Sequence, residues 1–285
     1  MSREGDIEFM EEKQKVLVGK EGWLFLQNDT NQIVEQNIGK VRLSDDGCRK
    51  WGHIIDTRFS LLNRHGKDYY FCIAPNKESI YSEFLPEGYH LIKDRPVYFL
   101  QQELKRREIK LINPEKVLRL YKNQVQVYPK TNTHWNELGA FIGYQYLIDN
   151  ILQKHKVKKL GWEDVAWENI VVSADLGDKM NPPVYSDYIK GKIKSPQAQI
   201  VFDNQKQNTG RIQISQNKEA MLPRAIVFHD SFSEMLFHYL IESFSEVYFL
   251  HSPSLMFELI DEFDPDIVIS QMAERFLIQI PNDHY

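Results

Sequence analysis

One serine stands where a buried strand passes directly into a helix, and a hydroxyl at such a turn can act as a nucleophile. Ala225–Phe228 is a continuous apolar run, and His229, Asp230 and Ser231 follow it before a helical stripe begins. The backbone N–H groups of the first helical turn point toward any anion formed beside Ser231, which would suit acyl transfer. The alternative is that Ser231 only caps the helix, because serine is a favoured N-cap residue.

A serine nucleophile needs a base that accepts its proton, and the candidate among the nine histidines is His134. It lies in the segment 129–136, between a predicted strand and a long predicted helix. His229 is only two residues before Ser231 and would point away from it if the strand geometry persists. The alternative for His134 is an ordinary loop histidine beside a core tryptophan, Trp135.

Two further polar residues follow predicted strands at the same edge of the sheet. Asn76 comes directly after the apolar run Tyr69–Ala74 and its Pro75, at the edge where ligands of such a sheet bind. Arg275 follows the last strand, where a guanidinium could hold an anionic sugar or a phosphate. An ordinary salt bridge of Arg275 with Glu274 or Asp266 is the alternative.

The elements that must position these residues alternate between apolar strands and amphipathic helices. Ser44 and Asn136 are predicted helix caps, and a further helix is predicted over Leu255–Phe263. This alternation predicts an α/β fold with a mostly parallel sheet, whose ligands bind at the carboxyl ends of the strands. The predicted strands are Tyr69–Ala74, Ile109–Ile112, Gln124–Tyr128, Ala225–Phe228, Val247–Leu250 and Ile267–Ile269.

The composition is that of an ordinary globular protein and excludes several classes. Of 285 residues, 42% are apolar and 26% charged, which excludes a disordered or collagen-like chain. The net charge of −5 gives no electrostatic support for a nucleic-acid partner. No metal site is expected, because the sequence has neither a cysteine pair nor a His-x-x-x-His pair at ligand spacing.

Targeting signals and cysteines bear on the compartment. No apolar run approaches the length of a membrane span, and the polar N-terminus has no signal-peptide core. The sequence alone therefore predicts a cytoplasmic protein, or a periplasmic or extracytoplasmic one if a targeting segment is missing. Cys48 and Cys72 are too few for a disulfide framework, and Cys72 in its apolar run is predicted to be a core residue.

Six short blocks, in order along the chain, resemble the alginate O-acetyltransferase family (AlgX and AlgJ) of SGNH-hydrolase-like enzymes. Each block is weak by itself, but six in the same order are hard to obtain by chance. The blocks are Gly19–Phe25; Ala74–Lys77 with Ile80–Tyr81 and Glu83–Pro86; Thr133–Asn136 with Gly139–Ala140; Asp175–Gly177 with Met180; Asp230–Phe232; and Glu274–Leu277.

The resemblance implies a three-layer SGNH-hydrolase-like domain, which we place over residues 41–285 after a packed lead-in over residues 1–40. The turn signals in the sequence predict an irregular insertion in this domain at about 160–222. The resemblance implies Ser231 as nucleophile, His134 as general base and Asn76 at an oxyanion-binding or orienting position. The activity implied is O-acetylation of a bacterial cell-surface polysaccharide or its precursor through an acetyl-serine. An exposed aromatic residue such as Trp135 would stack on the sugar.

The resemblance also bears on partners and on rival functions. It implies an exported enzyme that is served by a membrane-bound acetyl-donor protein, whereas a cytosolic version would use acetyl-CoA as the acetyl donor. No bound cofactor is expected in either case. Export conflicts with the missing signal sequence. The alternatives are a carbohydrate esterase of the same fold, in which water replaces the sugar hydroxyl, and an inactive carbohydrate-binding or assembly protein.

The chain departs from the family at one important position. The family has Asp two residues before its histidine, and this chain has Asn132. An amide oxygen can accept the histidine N–H but contributes no charge, and an inverted amide would favour the wrong tautomer. Either the enzyme is slow, or another carboxylate takes the role, with Asp230 nearest in sequence, or the site has lost its chemistry.

Overall fold

The structure, a computed structural model, describes residues 15–27 and 29–283. The first 14 residues of the lead-in predicted over residues 1–40 lie outside these described residues. The strands are β1 Val16–Val18, β2 Leu24–Leu26, β3 Asp68–Ala74, β4 Leu111–Ile112, β5 Val165–Val172, β6 Ser186–Ile193, β7 Ala198–Asp203, β8 Ile212–Asn217, β9 Arg224–His229, β10 Glu246–His251 and β11 Ile267–Ala273.

The helices fall between the strands as the alternating pattern predicts. The two predicted caps are confirmed, because the side chains of Ser44 and Asn136 accept the N–H groups of Gly47 and Gly139. The helices are α1 Ile33–Asn37, α2 Asp45–Arg64, α3 Lys77–Ile80, α4 Pro96–Arg106, α5 Glu115–Tyr121, α6 Glu137–Ile151, α7 Ala174–Gly177, α8 Glu234–Leu240 and α9 Phe257–Phe263.

A seven-stranded sheet with the order β4-β3-β11-β9-β10-β8-β7 forms the centre of the fold. The first five strands in this order are parallel, and β8 and β7 add to β10 as antiparallel strands. The prediction of an α/β domain with a mostly parallel sheet is therefore confirmed.

Successive residues of the central strands enter two separate cores, one on each face of the sheet. In β9, Ala225 and Val227 belong to one core, and Ile226 and Phe228 belong to the other. The first core is completed by α5, α6 and α8, and the second by α2, α4 and α9. The sheet thus lies between two helical layers, which is the predicted three-layer arrangement.

Gln124–Tyr128 was predicted to be a strand, and this prediction is wrong. The segment is irregular, although Val127 and Tyr128 are fully buried. Its backbone groups bond outside any ladder: the Val127 N–H donates to the Tyr81 hydroxyl at 3.0 Å, and its carbonyl accepts the Asn136 N–H at 3.0 Å. The burial of Val127 and Tyr128 thus arises from loop packing rather than from a strand.

Residues 160–222, predicted to be irregular, contain four of the strands. β5 and β6 pair as a separate antiparallel hairpin with α7 between them, and β7 and β8 extend the central sheet. Near the N-terminus, β1 and β2 form a second small hairpin whose Phe25 is fully buried in the first core. The division into a lead-in and a main domain stays a prediction.

Candidate active site

Three neighbouring strands end at one edge of the sheet, and each is followed by a residue that the sequence analysis selected. Because β3, β11 and β9 are adjacent and parallel, their carboxyl ends deliver Asn76, Arg275 and Ser231 to the same edge. The Arg275 guanidinium lies over the Phe232 ring, 5.1 Å from its centroid, next to Ser231. The sheet topology is therefore what assembles the site.

Ser231 is not the residue that caps the turn after β9. That role belongs to Asp230, whose Oδ1 accepts the Phe232 N–H at 2.9 Å and whose Oδ2 accepts the Ala273 N–H at 2.5 Å. Ser231 is the first residue of the short 3₁₀ helix Ser231–Ser233, and its hydroxyl is left for another partner. The helix-cap alternative for Ser231 is thereby excluded.

The partner of Ser231 is His134, as the sequence analysis paired them. The Ser231 Oγ lies 2.9 Å from the His134 Nε2, although 97 residues separate them in sequence. The imidazole ring also packs against the ring of Phe232, with 4.7 Å between centroids. Both Ser231 and His134 are partly exposed, so the pair can be reached from solvent.

The loop that carries His134 is fixed against the start of α6. Gly139 in the first turn of α6 allows close approach to the loop, because a Cβ there would lie 2.3 Å from the Val127 carbonyl oxygen. The buried cation of Lys77 adds a second anchor: its Nζ donates to the carbonyls of Pro129, Lys130 and Asn132 at 3.3, 3.1 and 2.7 Å. Burial lowers the pKa of Lys77 to about 7.

Asn132 presents its amide oxygen to His134, which settles the tautomer. Its Oδ1 accepts the His134 backbone N–H at 2.9 Å, and since a backbone N–H can only donate, the amide cannot be inverted. The same oxygen lies 3.2 Å from the His134 Nδ1, so that nitrogen carries the proton. The Nε2 is then free to accept the proton of Ser231.

A second oxygen reaches the same ring nitrogen, and the sequence analysis did not anticipate it. The Thr133 Oγ1 lies 3.2 Å from the His134 Nδ1 and also hydrogen-bonds to the Asp175 Oδ2. The other oxygen of Asp175 accepts the Thr133 backbone N–H at 2.8 Å. Asp175 stood in one of the family-like blocks, but neither spacing nor periodicity connected it with the histidine.

Burial and nearby charges hold His134 neutral at physiological pH. They lower the pKa of His134 to about 4, with burial as the largest cause and the Arg275 cation as the next. Lys77 and Lys179 act in the same direction, and the Asp175 carboxylate opposes them. A neutral imidazole is the form that a general base needs.

Arg275 is a buried cation whose guanidinium has no hydrogen-bonding or ion-pair partner within residues 15–27 and 29–283. The residue is 7% exposed and lies between the rings of Phe232 and Phe276. The salt bridge considered for it is absent, since Glu274 pairs instead with Arg95 at 3.2 Å. An unpaired guanidinium at this edge is suited to an anionic group.

Asn76 is oriented by two bonds that leave one donor free. Its Oδ1 accepts the backbone N–H of Arg275 at 3.3 Å, and the backbone N–H of Asn76 donates to the Glu274 Oε2 at 3.2 Å. This fixes the amide, and in the described part of the chain its Nδ2 has no acceptor. Asn76 therefore offers an N–H donor of the kind that an oxyanion-binding position requires, and its role there stays a prediction.

Trp135 was predicted to stack on a sugar, and the structure contradicts this. Its side chain is fully buried, and its Nε1 donates to the Phe232 carbonyl at 2.9 Å. A ring enclosed in this way has no free face for a ligand. The alternative given above, a core tryptophan beside a loop histidine, describes the position of Trp135.

Asp230, considered above as a carboxylate partner for His134, does not take that role. Its two oxygens accept the N–H groups of Phe232 and Ala273 instead.

Within residues 15–27 and 29–283, no group of three or more His, Cys, Asp or Glu side chains is arranged to hold a metal ion. No helix within the described ranges has both the length and the apolar character that a bilayer span requires.

A serine–histidine pair at the carboxyl edge of a parallel sheet, between two helical layers, is typical of α/β hydrolases and acyltransferases with a serine nucleophile. The comparison with family models agrees and is more specific. Residues 16–234 match the model described as SGNH hydrolase-like domain, acetyltransferase AlgX. The chain belongs to this family, as the resemblance in sequence implied.

One curated relative shares part of its sequence with this chain. A probable alginate O-acetylase AlgJ of Pseudomonas putida is 26% identical over 156 residues, which are 50% of this chain and 35% of that protein. The match thus spans about a third of that relative's length.

Solved structures share the fold. Bacillus cereus PatB1, determined with a sulfonyl adduct, has a TM-score of 0.65 at 18% identity, covering 92% of this chain and 95% of its own. The O-acetyltransferase domain of P. putida AlgJ has a TM-score of 0.58 at 16% identity, with 94% of each chain covered.

Proposed function

We propose that this protein is an O-acetyltransferase that modifies a bacterial cell-surface polysaccharide, or its sugar precursor, through an acetyl-serine intermediate. The observation that carries the proposal is the 2.9 Å contact between the Ser231 Oγ and the His134 Nε2, with the Nδ1 proton held by Asn132. This is the geometry in which a neutral imidazole can take the serine proton.

In the first half of the reaction, the Ser231 Oγ attacks the carbonyl carbon of the acetyl donor while its proton passes to the His134 Nε2. The carbonyl π electrons move to oxygen and form a tetrahedral oxyanion. When this intermediate collapses, the bond to the donor's leaving group breaks, and the imidazolium returns the proton to that group. Ser231 then carries the acetyl group as an ester.

Two donors are suited to the oxyanion of that intermediate. The Ser231 backbone N–H opens the 3₁₀ helix and makes no hydrogen bond to another described residue, and the Asn76 Nδ2 is likewise free. They follow β9 and β3, two strands separated by β11, at the same edge of the sheet. A pair of fixed N–H donors of this kind is the usual means of stabilising such an anion.

In the second half, a sugar hydroxyl gives its proton to the His134 Nε2 and attacks the acetyl-serine. The new ester forms on the sugar, and the Ser231 Oγ leaves and regains the proton. Arg275, an unpaired cation beside this site, would hold a carboxylate on the acceptor, which favours an acidic sugar. Membership in the AlgX family and the named AlgJ relative support a polysaccharide acceptor.

Hydrolysis of p-nitrophenyl acetate by the purified protein tests the catalytic pair. We expect p-nitrophenol release that disappears in Ser231→Ala and in His134→Ala, together with one acetyl group on the Ser231 peptide by mass spectrometry. Wild-type hydrolysis no faster than both variants, with no acetylated peptide, would overturn the proposal and leave an inactive carbohydrate-binding or assembly protein.

Transfer is then tested with oligosaccharides as acceptors and with p-nitrophenyl acetate or acetyl-CoA as donor. We expect acetylated uronic-acid oligosaccharides by mass spectrometry, and less product with neutral oligosaccharides of the same length. If acetate is the only product with every acceptor, the protein is a carbohydrate esterase of the same fold. Acetyl-CoA that does not react while the ester does would favour a membrane-bound acetyl-donor protein as the partner.

A further inference from the structure

We propose that Asp175 acts through the Thr133 hydroxyl as the charged partner of His134, a part that Asn132 cannot take. Asp175 and Thr133 are positioning residues in this proposal, since neither would touch the substrate. The inference rests on the proposed function, because it assigns the source of negative charge for the same imidazolium. It also explains how the chain can keep its chemistry without a carboxylate at position 132.

The direction of each hydrogen bond follows from the groups involved. An ionised Asp175 can only accept, so the Thr133 hydroxyl proton points at its Oδ2. The Thr133 Oγ1 therefore turns its lone pairs toward the His134 Nδ1, 3.2 Å away. The Nδ1 proton is shared between this oxygen and the Asn132 Oδ1, also at 3.2 Å, and only the Thr133 branch ends on a charge.

The rest of the α7 region is built to hold Asp175 in this place. The N–H groups of Leu176 and Gly177 both donate to the Thr131 carbonyl, at 3.0 and 3.1 Å, and so dock α7 on the histidine loop. Gly177 permits this close approach, because a Cβ there would lie 2.2 Å from the Val184 carbonyl oxygen and 3.1 Å from the Thr131 Cβ. Asp175 is thus fixed on two sides.

No other carboxylate in residues 15–27 and 29–283 hydrogen-bonds with residues 132–134. Asp230 is used by the N–H groups of Phe232 and Ala273, and Glu274 by Arg95, Ser79 and Asn76. The strongest electrostatic influences on the pKa of His134 are the cations Arg275, Lys77 and Lys179, which lower it, and the Asp175 carboxylate, which raises it. Asp175 is therefore the group that offsets these three cations when the imidazolium forms.

Two matched pairs of variants separate the hydroxyl relay from a purely structural role. Thr133→Val removes the hydroxyl but keeps the backbone N–H that Asp175 accepts, and Thr133→Ser restores a hydroxyl. Asp175→Asn removes the charge at constant size, and Asp178→Asn makes the same change on an exposed residue at the end of α7. Thermal melting of each variant shows whether it is folded.

We expect Thr133→Val and Asp175→Asn each to lower kcat for p-nitrophenyl acetate by roughly 10- to 100-fold, the scale of one charge-assisted hydrogen bond. Thr133→Ser should recover most of the rate, and Asp178→Asn should match wild type. The double variant Thr133→Val/Asp175→Asn should be no slower than either single one, because both changes break the same relay. Adding Asn132→Asp to Asp175→Asn should restore the rate.

A readout without turnover keeps this inference separate from the proposed function. ¹⁵N NMR of histidine-labelled protein, with His134→Ala for assignment, gives the His134 pKa directly, and Asp175→Asn should lower it because the opposing anion is lost. If wild type is inactive but this shift occurs, the proposed function fails and the electrostatic link stands. If wild type is active while Thr133→Val and Asp175→Asn keep the wild-type rate and pKa, the relay is overturned.

Discussion

The Trp135 indole N–H donates to the Phe232 carbonyl at 2.9 Å, so the residues directly after His134 and Ser231 are bonded to each other. The two rings also meet edge to face, with 5.6 Å between centroids. This contact ties the loop that carries the imidazole to the turn that carries the hydroxyl. Trp135 therefore serves the site by holding its two halves in register.

Trp135→Phe tests this structural role. The variant keeps an aromatic ring but loses the buried hydrogen bond, so we expect the free energy of unfolding to fall by about 1–3 kcal/mol. The Phe232 carbonyl is left without its donor, and kcat for p-nitrophenyl acetate should fall with it. The KM for an oligosaccharide acceptor should not change; a KM raised with stability intact would instead point to sugar stacking.

Asn132→Asp should make the enzyme faster. An aspartate at this position would place a carboxylate directly on the His134 Nδ1, where the amide oxygen now lies at 3.2 Å. We expect kcat to rise about tenfold, since the amide already holds the correct tautomer and only the charge is added. Steady-state hydrolysis of p-nitrophenyl acetate measures it, and an unchanged rate would mean that the site is not limited by charge on this side of the ring.

The pH dependence of kcat/KM should report the neutral histidine. Because the pKa of His134 is lowered to about 4, activity should stay constant through neutral pH and fall only as His134 becomes protonated near that value. Arg275→Met removes the cation that lowers the pKa of His134 most, which should raise this pKa and move the loss of activity to higher pH. Arg49→Met, on an exposed arginine, is the control, and equal profiles for all three proteins would contradict the assignment.

Asn76→Ala should lower kcat by about 100-fold if its Nδ2 binds the oxyanion, which is the cost of losing one such donor. The KM should change little, because the donor is used in the transition state rather than in the ground state. Asn63→Ala, at an exposed position of α2, provides the comparison. A change in KM alone would place Asn76 in ground-state binding.

Lys77→Met should destabilise the protein. The ammonium group is the shared donor to three carbonyls of the histidine loop, and methionine fills similar space without any donor. Leaving those carbonyls short of a donor should lower the free energy of unfolding by about 1–3 kcal/mol, measured by urea denaturation. Unchanged stability would show that water replaces the ammonium group without loss.

The sequence predicted those site residues that directly follow a strand. Ser231, Arg275 and Asn76 each follow an apolar run, and the rule for parallel sheets places them together. Asp175 was beyond reach, because its contact with Thr133 depends on how α7 docks. Its link to His134 is therefore a tertiary relation that no local spacing records.

The sequence also did not show which side chains and loop segments are buried. Trp135 is aromatic and stands beside a loop histidine, a setting compatible with either a ligand face or a core. The buried indole N–H found its partner in a backbone carbonyl nearly a hundred residues away. Likewise, Gln124–Tyr128 alternates like a strand, but a tyrosine hydroxyl and a loop N–H satisfy its backbone.

The short helix α7 sits between the two strands of a hairpin that stands apart from the central sheet. A small appendage thus contributes a charge to a reaction centre assembled elsewhere. A hairpin of another length or twist would move Asp175 and thereby change the pKa of His134. Ser231 and the turn that carries it would stay the same. The hairpin therefore offers protein engineers a place to change the reaction rate without altering the loops at the sheet edge that carry Ser231 and His134.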